Sequence, residues 1–283
     1  METGHRYMTE ETSDTTVNKI AKEFNKLSIQ VSLNGLSFCI LDTVGNTILN
    51  SERIVFEKER TPYGLHKGLV ALFKKHDLTK KKFSEVIVVH RNNLFSLVPK
   101  SLFDVDELAN YLKFNTKMLA NDHIAYDELE HNDMVNVYVP FVNINNYIYE
   151  LFGEFTFKHN GTVMIESLLN GKNITKEPIC YVYVADQQMD ITVIAQKKIV
   201  IFNSFNYTTK EDFIYYLLFT LEQLNLDTET VILKMFGEIE EGDDIYTICY
   251  QYVKHISIFI PSVSSLLVDL NTESIDFTVL SSL

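Results

Sequence analysis

The stretch Leu27-Ser28-Ile29-Gln30-Val31-Ser32-Leu33-Asn34-Gly35-Leu36-Ser37-Phe38-Cys39-Ile40-Leu41-Asp42 decides how the rest of the chain is read. Leu27, Ile29, Val31 and Leu33 alternate with smaller or polar residues, the period of a strand with one apolar face. Asn34-Gly35 is a hairpin turn signal and residues 36–42 resume the apolar run, so a β-hairpin is predicted. Working outward, Thr43-Val44-Gly45-Asn46 reads as a second turn and residues 47–56 as a third strand carrying Ile48, Ile54 and Phe56. Thr61-Pro62 then marks a helix start. Leu65, Leu69, Leu72 and Phe73 recur at three and four residues, and Lys74-Lys75-His76 supply the basic end that a helix dipole favours. Residues 83–90, with the unbroken run Val86-Ile87-Val88-Val89, are predicted as a strand buried on both faces and therefore parallel to its neighbours.

The same order returns further along. Strands at 179–185, 189–195 and 199–205, parted by turns at Gln187-Gln188 and Lys197-Lys198, precede a helix over about 209–226 and a strand at 231–236. That helix presents Phe213, Leu217, Leu221 and Leu224 on one face, with Thr208 or Thr209 as its cap. The match extends to Val137-Tyr138-Val139-Pro140 with a helix at 145–152, against Ile258-Phe259-Ile260-Pro261 with a helix at 264–270. Three antiparallel strands, a helix, a parallel strand, a helix and a further parallel strand make a ribonuclease-H-like β-β-β-α-β-α-β unit. Two in tandem make an α/β chain of the actin-like fold. Residues 1–26 are then a polar N-terminal segment, 27–152 and 179–283 the two units, and 153–178 a connector with strand-like 155–158 and helix-like 163–170. The expected core is Ile29, Val31, Phe38, Ile40, Val86, Val88, Val182, Val184, Ile191, Val193, Ile232 and Leu233.

Composition narrows the function. The 283 residues include 25 Lys and Arg against 38 Asp and Glu, a net charge of −13, which disfavours nucleic acid or an anionic membrane as partner. Residues 1–18 lack the apolar core of a secretory signal, and no run reaches the roughly 20 apolar residues of a spanning helix. Cys39, Cys180 and Cys249 are odd in number, far apart and set in apolar runs, so they read as buried free thiols of a cytoplasmic protein. The sequons at Asn160, Asn173 and Asn206 are accordingly read as chance. Phosphate-loop, serine-hydrolase-elbow and zincin motifs are all missing. Two-metal nuclease chemistry needs clustered carboxylates, whereas residues 27–33 contain no acid and the fourth strand only Glu85.

The opening stretch, together with Leu94-Phe95-Ser96-Leu97-Val98-Pro99 before a helix at 105–114 and the strand at 135–140, resembles the bacterial family known as domain of unknown function 3822. The resemblance runs from about residue 25 onward and implies an actin-like ATPase fold. In actin, Hsp70 and sugar kinases the two first hairpins face each other across a nucleotide cleft. Their turns carry Asp and Gly, so that bare backbone meets phosphate and a carboxylate organises Mg²⁺. The positions implied here are Asn34 and Gly35 in the first half, Asp186 and Gln188 in the second, and Gly237 on the adenosine side. The first turn offers an amide for the carboxylate, and Asp186-Gln187-Gln188-Met189-Asp190 has no glycine. Gly237 stands alone before five acids at Glu238, Glu240, Glu241, Asp243 and Asp244.

The expectation is a pseudo-ATPase: a non-catalytic scaffold with a degenerate cleft, no catalytic or metal-binding residue, no resident cofactor, and an unidentified protein partner. The alternative is a diverged ATPase- or kinase-like enzyme that binds Mg-nucleotide or a small molecule in the cleft. Three further features stay open. His90-Arg91-Asn92-Asn93 follows a buried strand at its carboxyl end, as a ligand loop or a polar turn. Lys74, Lys75, Lys80, Lys81 and Lys82 read as a solvated basic patch. Tyr215, Tyr216 and Phe219, beside core Phe213, are either a partner surface or a helix face buried on a second side.

Overall fold

The computed structural model describes residues 24–113, 123–129, 132–170, 177–185, 187–260 and 275–283. β1 (Asn25–Ser32) and β2 (Gly35–Asp42) form the opening hairpin, with Ser32 opposite Gly35, so the two-residue loop is Leu33-Asn34. Gly35 lies in the strand, and its neighbour explains it: a Cβ there would stand 2.6 Å from the Ile54 carbonyl oxygen. That carbonyl belongs to β3 (Thr47–Val55), antiparallel to β2. α1 (Pro62–Lys75) begins where Thr61 Oγ1 accepts a hydrogen bond from Gly64 N at 3.2 Å, and it returns the chain to β4 (Glu85–His90), parallel to β1. Leu65, Leu69, Leu72 and Phe73 of α1 pack on Leu27, Ile29, Val31, Phe38 and Ile40.

A small antiparallel sheet follows, made of β5 (Phe95–Pro99), β6 (Ala125–Glu128) and β7 (Met134–Tyr138) in the order β5-β7-β6, with α2 (Leu108–Leu112) between β5 and β6. The helix expected over 105–114 is a single 3-10 turn at Val105–Glu107 running into α2, and residue 114 lies outside the described residues. α3 (Val142–Phe152) leads to β8 (Thr156–His159), which pairs parallel to β4 and completes a sheet ordered β3-β2-β1-β4-β8. α4 (Asn160–Asn170) follows at once.

The second half runs β9 (Ile179–Ala185), β10 (Gln188–Ala195), β11 (Lys198–Asn206), α5 (Lys210–Gln223), β12 (Ile232–Gly237), α6 (Asp244–Tyr252) and β13 (His255–Ile258). Its sheet order, β11-β10-β9-β12-β13, is the first sheet's order in matching positions, so the chain is a tandem repeat. One correspondence expected from sequence is corrected. The strand at 135–140 does not match 258–261, since among the described residues β7 pairs only with β5 and β6, and the counterparts of α6 and β13 are α3 and β8. Residues 153–178 are therefore more than a connector, because they contain the fifth strand of the first sheet. Pro261 and residues 264–270 lie outside the described residues.

Each sheet buries its second face under a helix from the other half. Met164, Ile165 and Leu168 of α4 pack with Tyr181, Tyr183 and Phe202 of the second sheet. Val279 and Leu280 of α7 (Phe277–Ser281), the last element, pack on Cys39 of the first. The two helices meet through Ser167 and Ser281, 3.2 Å apart. Eleven of the twelve expected core residues are buried, and Ile232 is half-buried at the start of β12.

Candidate functional site

Parallel strands β4 and β12 end on the side where the first hairpins of the two halves approach each other, and the loops that follow converge on a cleft. Its lining includes Gln30, Ser32, Asn34, Gly35, Arg53, Arg91, Gln188 and Asp276. Three of the five sequence-predicted positions, Asn34, Gly35 and Gln188, are thus brought together. Asp186 lies outside the described residues. Gly237 is not in the lining, and its glycine is dictated by the backbone: φ is +94° and a Cβ would sit 2.3 Å from the Val184 carbonyl oxygen.

The cleft is filled by side chains that join the halves. Arg91, directly after β4, donates from Nη2 to Asp190 Oδ2 of β10 at 3.1 Å, and both side chains are almost fully buried. Ser204 Oγ donates to the other Asp190 oxygen. Gln188 Nε2 donates to Asn93 Oδ1 at 2.9 Å and to Ser204 Oγ at 2.8 Å. The Arg91 guanidinium also lies 5.1 Å from the centre of the Tyr183 ring, whose hydroxyl donates to Asp276 Oδ1 at 3.1 Å. Burial, then the Asp276 charge, pushes the Tyr183 hydroxyl far above its ordinary pKa, so it stays a donor. Arg53 of β3 pairs with Glu238 and lies 3.5 Å from Asp276. Thr278 of α7 donates to Gln30 Oε1, and Ser28 lies 2.7 Å from Ser282.

These contacts place two first-half arginines against four second-half groups, Asp190, Tyr183, Asp276 and Glu238. Sequence reasoning quoted Arg91 within a polar tetrapeptide, Asp190 at the end of the second turn and Glu238 in an acidic run, and missed Arg53, Tyr183 and Asp276. Asp190 did leave a signal: Met189, Ile191 and Val193 occupy one face of β10, and Asp190 and Thr192, both 1% exposed, bury the other. The pocket left there, partly open to solvent, has a cavity volume of about 10 Å³, room for about one water. A Mg-polyphosphate needs bare backbone and an unengaged carboxylate, whereas here the Gln188 side chain fills the second turn and the cleft carboxylates Asp190 and Asp276 are taken by hydrogen bonds and arginines. The residues present do not fit that group.

A second buried polar centre fastens the small sheet to β8. Asp127 accepts from Tyr138 OH at 3.0 Å, His159 N at 2.9 Å and Thr162 Oγ1 at 2.7 Å. Burial pushes its carboxyl up to about 6, against those hydrogen bonds. His159 Nδ1 accepts from Asn136 Nδ2 and Gly161 N while Nε2 donates to the Asn92 carbonyl, and burial pushes the imidazole down to about 3. His90 is likewise held neutral, burial taking it down to about 4, between Phe141 N and Asn145 Oδ1. The three thiols are free and buried, each pushed up to about 12 by burial. On α5, Tyr216 stacks on Phe205 at 4.7 Å, so that ring widens the core, whereas Tyr215 and Phe219 remain outside. No helix among the described residues is long and apolar enough to cross a membrane.

Two sheets of matching order, crossed by each other's last helices around a central cleft, define the actin-like fold. A family model described as a protein of unknown function, DUF3822, matches residues 14–256, and the chain belongs to that family. The chain is similar to a Bacteroides thetaiotaomicron protein with actin-like ATPase fold and unknown function, at 19% identity and TM-score 0.75, covering 95% of this chain and 98% of that one. It is also similar to a chain of the PilM-PilN type IV pilus biogenesis complex, at 10% identity and TM-score 0.54, covering 83% and 88%. No curated protein matches the sequence.

Proposed function

We propose that this chain is a non-catalytic actin-like protein, a pseudo-ATPase that serves as a cytoplasmic protein-binding scaffold. The observation that carries the reading is the direct bonding of the halves through the cleft, Arg91 to Asp190 and Asn93 to Gln188, where a phosphate chain would have to lie. Buried free thiols suit a reducing compartment. The similarity to a chain of a pilus biogenesis complex supports a role in assembly through protein contacts. A thermal-shift series with Mg-ATP, Mg-ADP and Mg-GTP tests the scaffold reading. A ligand at 100 times its dissociation constant would add about 2.7 kcal/mol of stability. The scaffold melts at the same temperature in all of them; a nucleotide-specific rise would return the chain to the enzymes.

A further inference from the structure

We propose that the outer face of α5 docks a basic, amphipathic segment of a partner protein, an inference that rests on the scaffold reading and names the partner's chemistry. The repeat supplies the comparison. α1 and α5 are both 14 residues long and cover equivalent sheet faces. At matching outward positions α1 carries Tyr63, Lys67, Ala71 and Lys74, whereas α5 carries Glu211, Tyr215, Phe219 and Glu222. On α1 a single exposed ring, Tyr63, already carries a cation, with Lys67 Nζ 4.6 Å from its centre. On α5 the rings lie open. Tyr215 is 61% and Phe219 44% exposed, and they stack at 6.0 Å and 18°, a short apolar strip with a carboxylate beyond each end.

Charge identifies the occupant. Residues 179–283 hold 5 Lys and no Arg against 15 Asp and Glu, while residues 27–152 hold 13 Lys and Arg against 15. Two lysines near this face are engaged: Lys210 lies 3.7 Å from Asp244 and Lys254 is 3.1 Å from Glu229. Lys210 and Asp244 also join the starts of α5 and the adjacent α6, whose Tyr250 is 65% exposed beyond the acids at 238–244. Open aromatic faces between carboxylates attract Lys and Arg by cation–π and ion-pair contact, and the rings take apolar side chains. An acidic segment would be repelled. A second copy, also at −13, brings net repulsion.

The test is fluorescence anisotropy with the intact chain and two labelled helical peptides of equal apolar content, one carrying about +4 and the other about −4. The basic peptide binds, weakening as salt rises from about 0.05 to about 0.5 M, and the acidic peptide does not. The Tyr215→Ala/Phe219→Ala double variant, altered at exposed positions, keeps its melting temperature and loses about tenfold or more in affinity, while Tyr63→Ala on α1 loses nothing. Equal loss in Tyr63→Ala, or undiminished binding by the double variant, reduces the effect to general charge attraction and overturns the proposal. Dimerisation abolished by the double variant overturns it too, by giving the face to a second copy. Neither result touches the scaffold reading, which the nucleotide melts decide separately.

Discussion

At the residue scale, the Arg91–Asp190 pair is the strongest constraint on the cleft. Both side chains are removed from water, so truncating one strands the other charge. Arg91→Ala is expected to lower unfolding free energy by about 3–5 kcal/mol in urea titrations, and Arg91→Met with Asp190→Leu to recover most of the loss. A loss below about 1 kcal/mol in the single variant would mean the pair is open to solvent. The buried imidazoles set the response to acid. His90 and His159 have folded values depressed below the ordinary 6.5, so their contribution is complete above that pH and is lost as pH falls toward about 4 and about 3. Asp127 acts oppositely. Its folded value is raised from 3.8 to about 6, so it favours folding at low pH and loses that contribution as pH rises through 6. Between pH 6 and 4 two losses meet one gain. Stability should fall by roughly 1 kcal/mol per unit of acidification, and by roughly 3 in Asp127→Asn, where the opposing group is gone. Urea midpoints across that range check both slopes, and a flat profile in Asp127→Asn would contradict the neutral, buried assignment of the histidines.

At the element scale, α7 is five residues long and yet closes the second face of the first sheet, over Cys39. Deleting residues 275–283 should expose that thiol alone, since Cys180 and Cys249 sit in the opposite half's core. A thiol reagent added to the folded protein should label none of the three in the full chain and one in the truncated chain, with peptide mapping identifying Cys39. Labelling of Cys180 or Cys249 instead would place α7 elsewhere. Elements differ in how legible they were from sequence for a physical reason. The central strands and crossover helices bury long apolar stripes, so alternation or three-four spacing marks them. β8 consists of Thr156-Phe157-Lys158-His159, a four-residue edge strand that owes its place to pairing with β4. β7 shows the converse, for its apolar run marks a strand without saying which sheet it joins. Gly35 and Gly237 looked like phosphate-loop glycines, whereas each is required by a carbonyl of a neighbouring strand. The Arg53 contacts to Glu238 and Asp276 span about 200 residues of sequence and follow no local period, so only the fold reveals them.

At the scale of the whole molecule, the repeat, the exchange of last helices and the polar bridge make one body from two halves. Actin-like enzymes keep the centre open for a nucleotide; here arginines and carboxylates neutralise one another there, leaving space for about one water. On the proposed scaffold reading, that filling of the cleft is what keeps a nucleotide out. Isothermal titration of the full chain with Mg-ATP and Mg-ADP measures it directly. The closed cleft predicts no heat beyond dilution up to millimolar nucleotide. Micromolar binding that disappears in Asn34→Ala or Gln188→Ala would contradict it, since those side chains would then be gripping a ligand in the space they are held to fill.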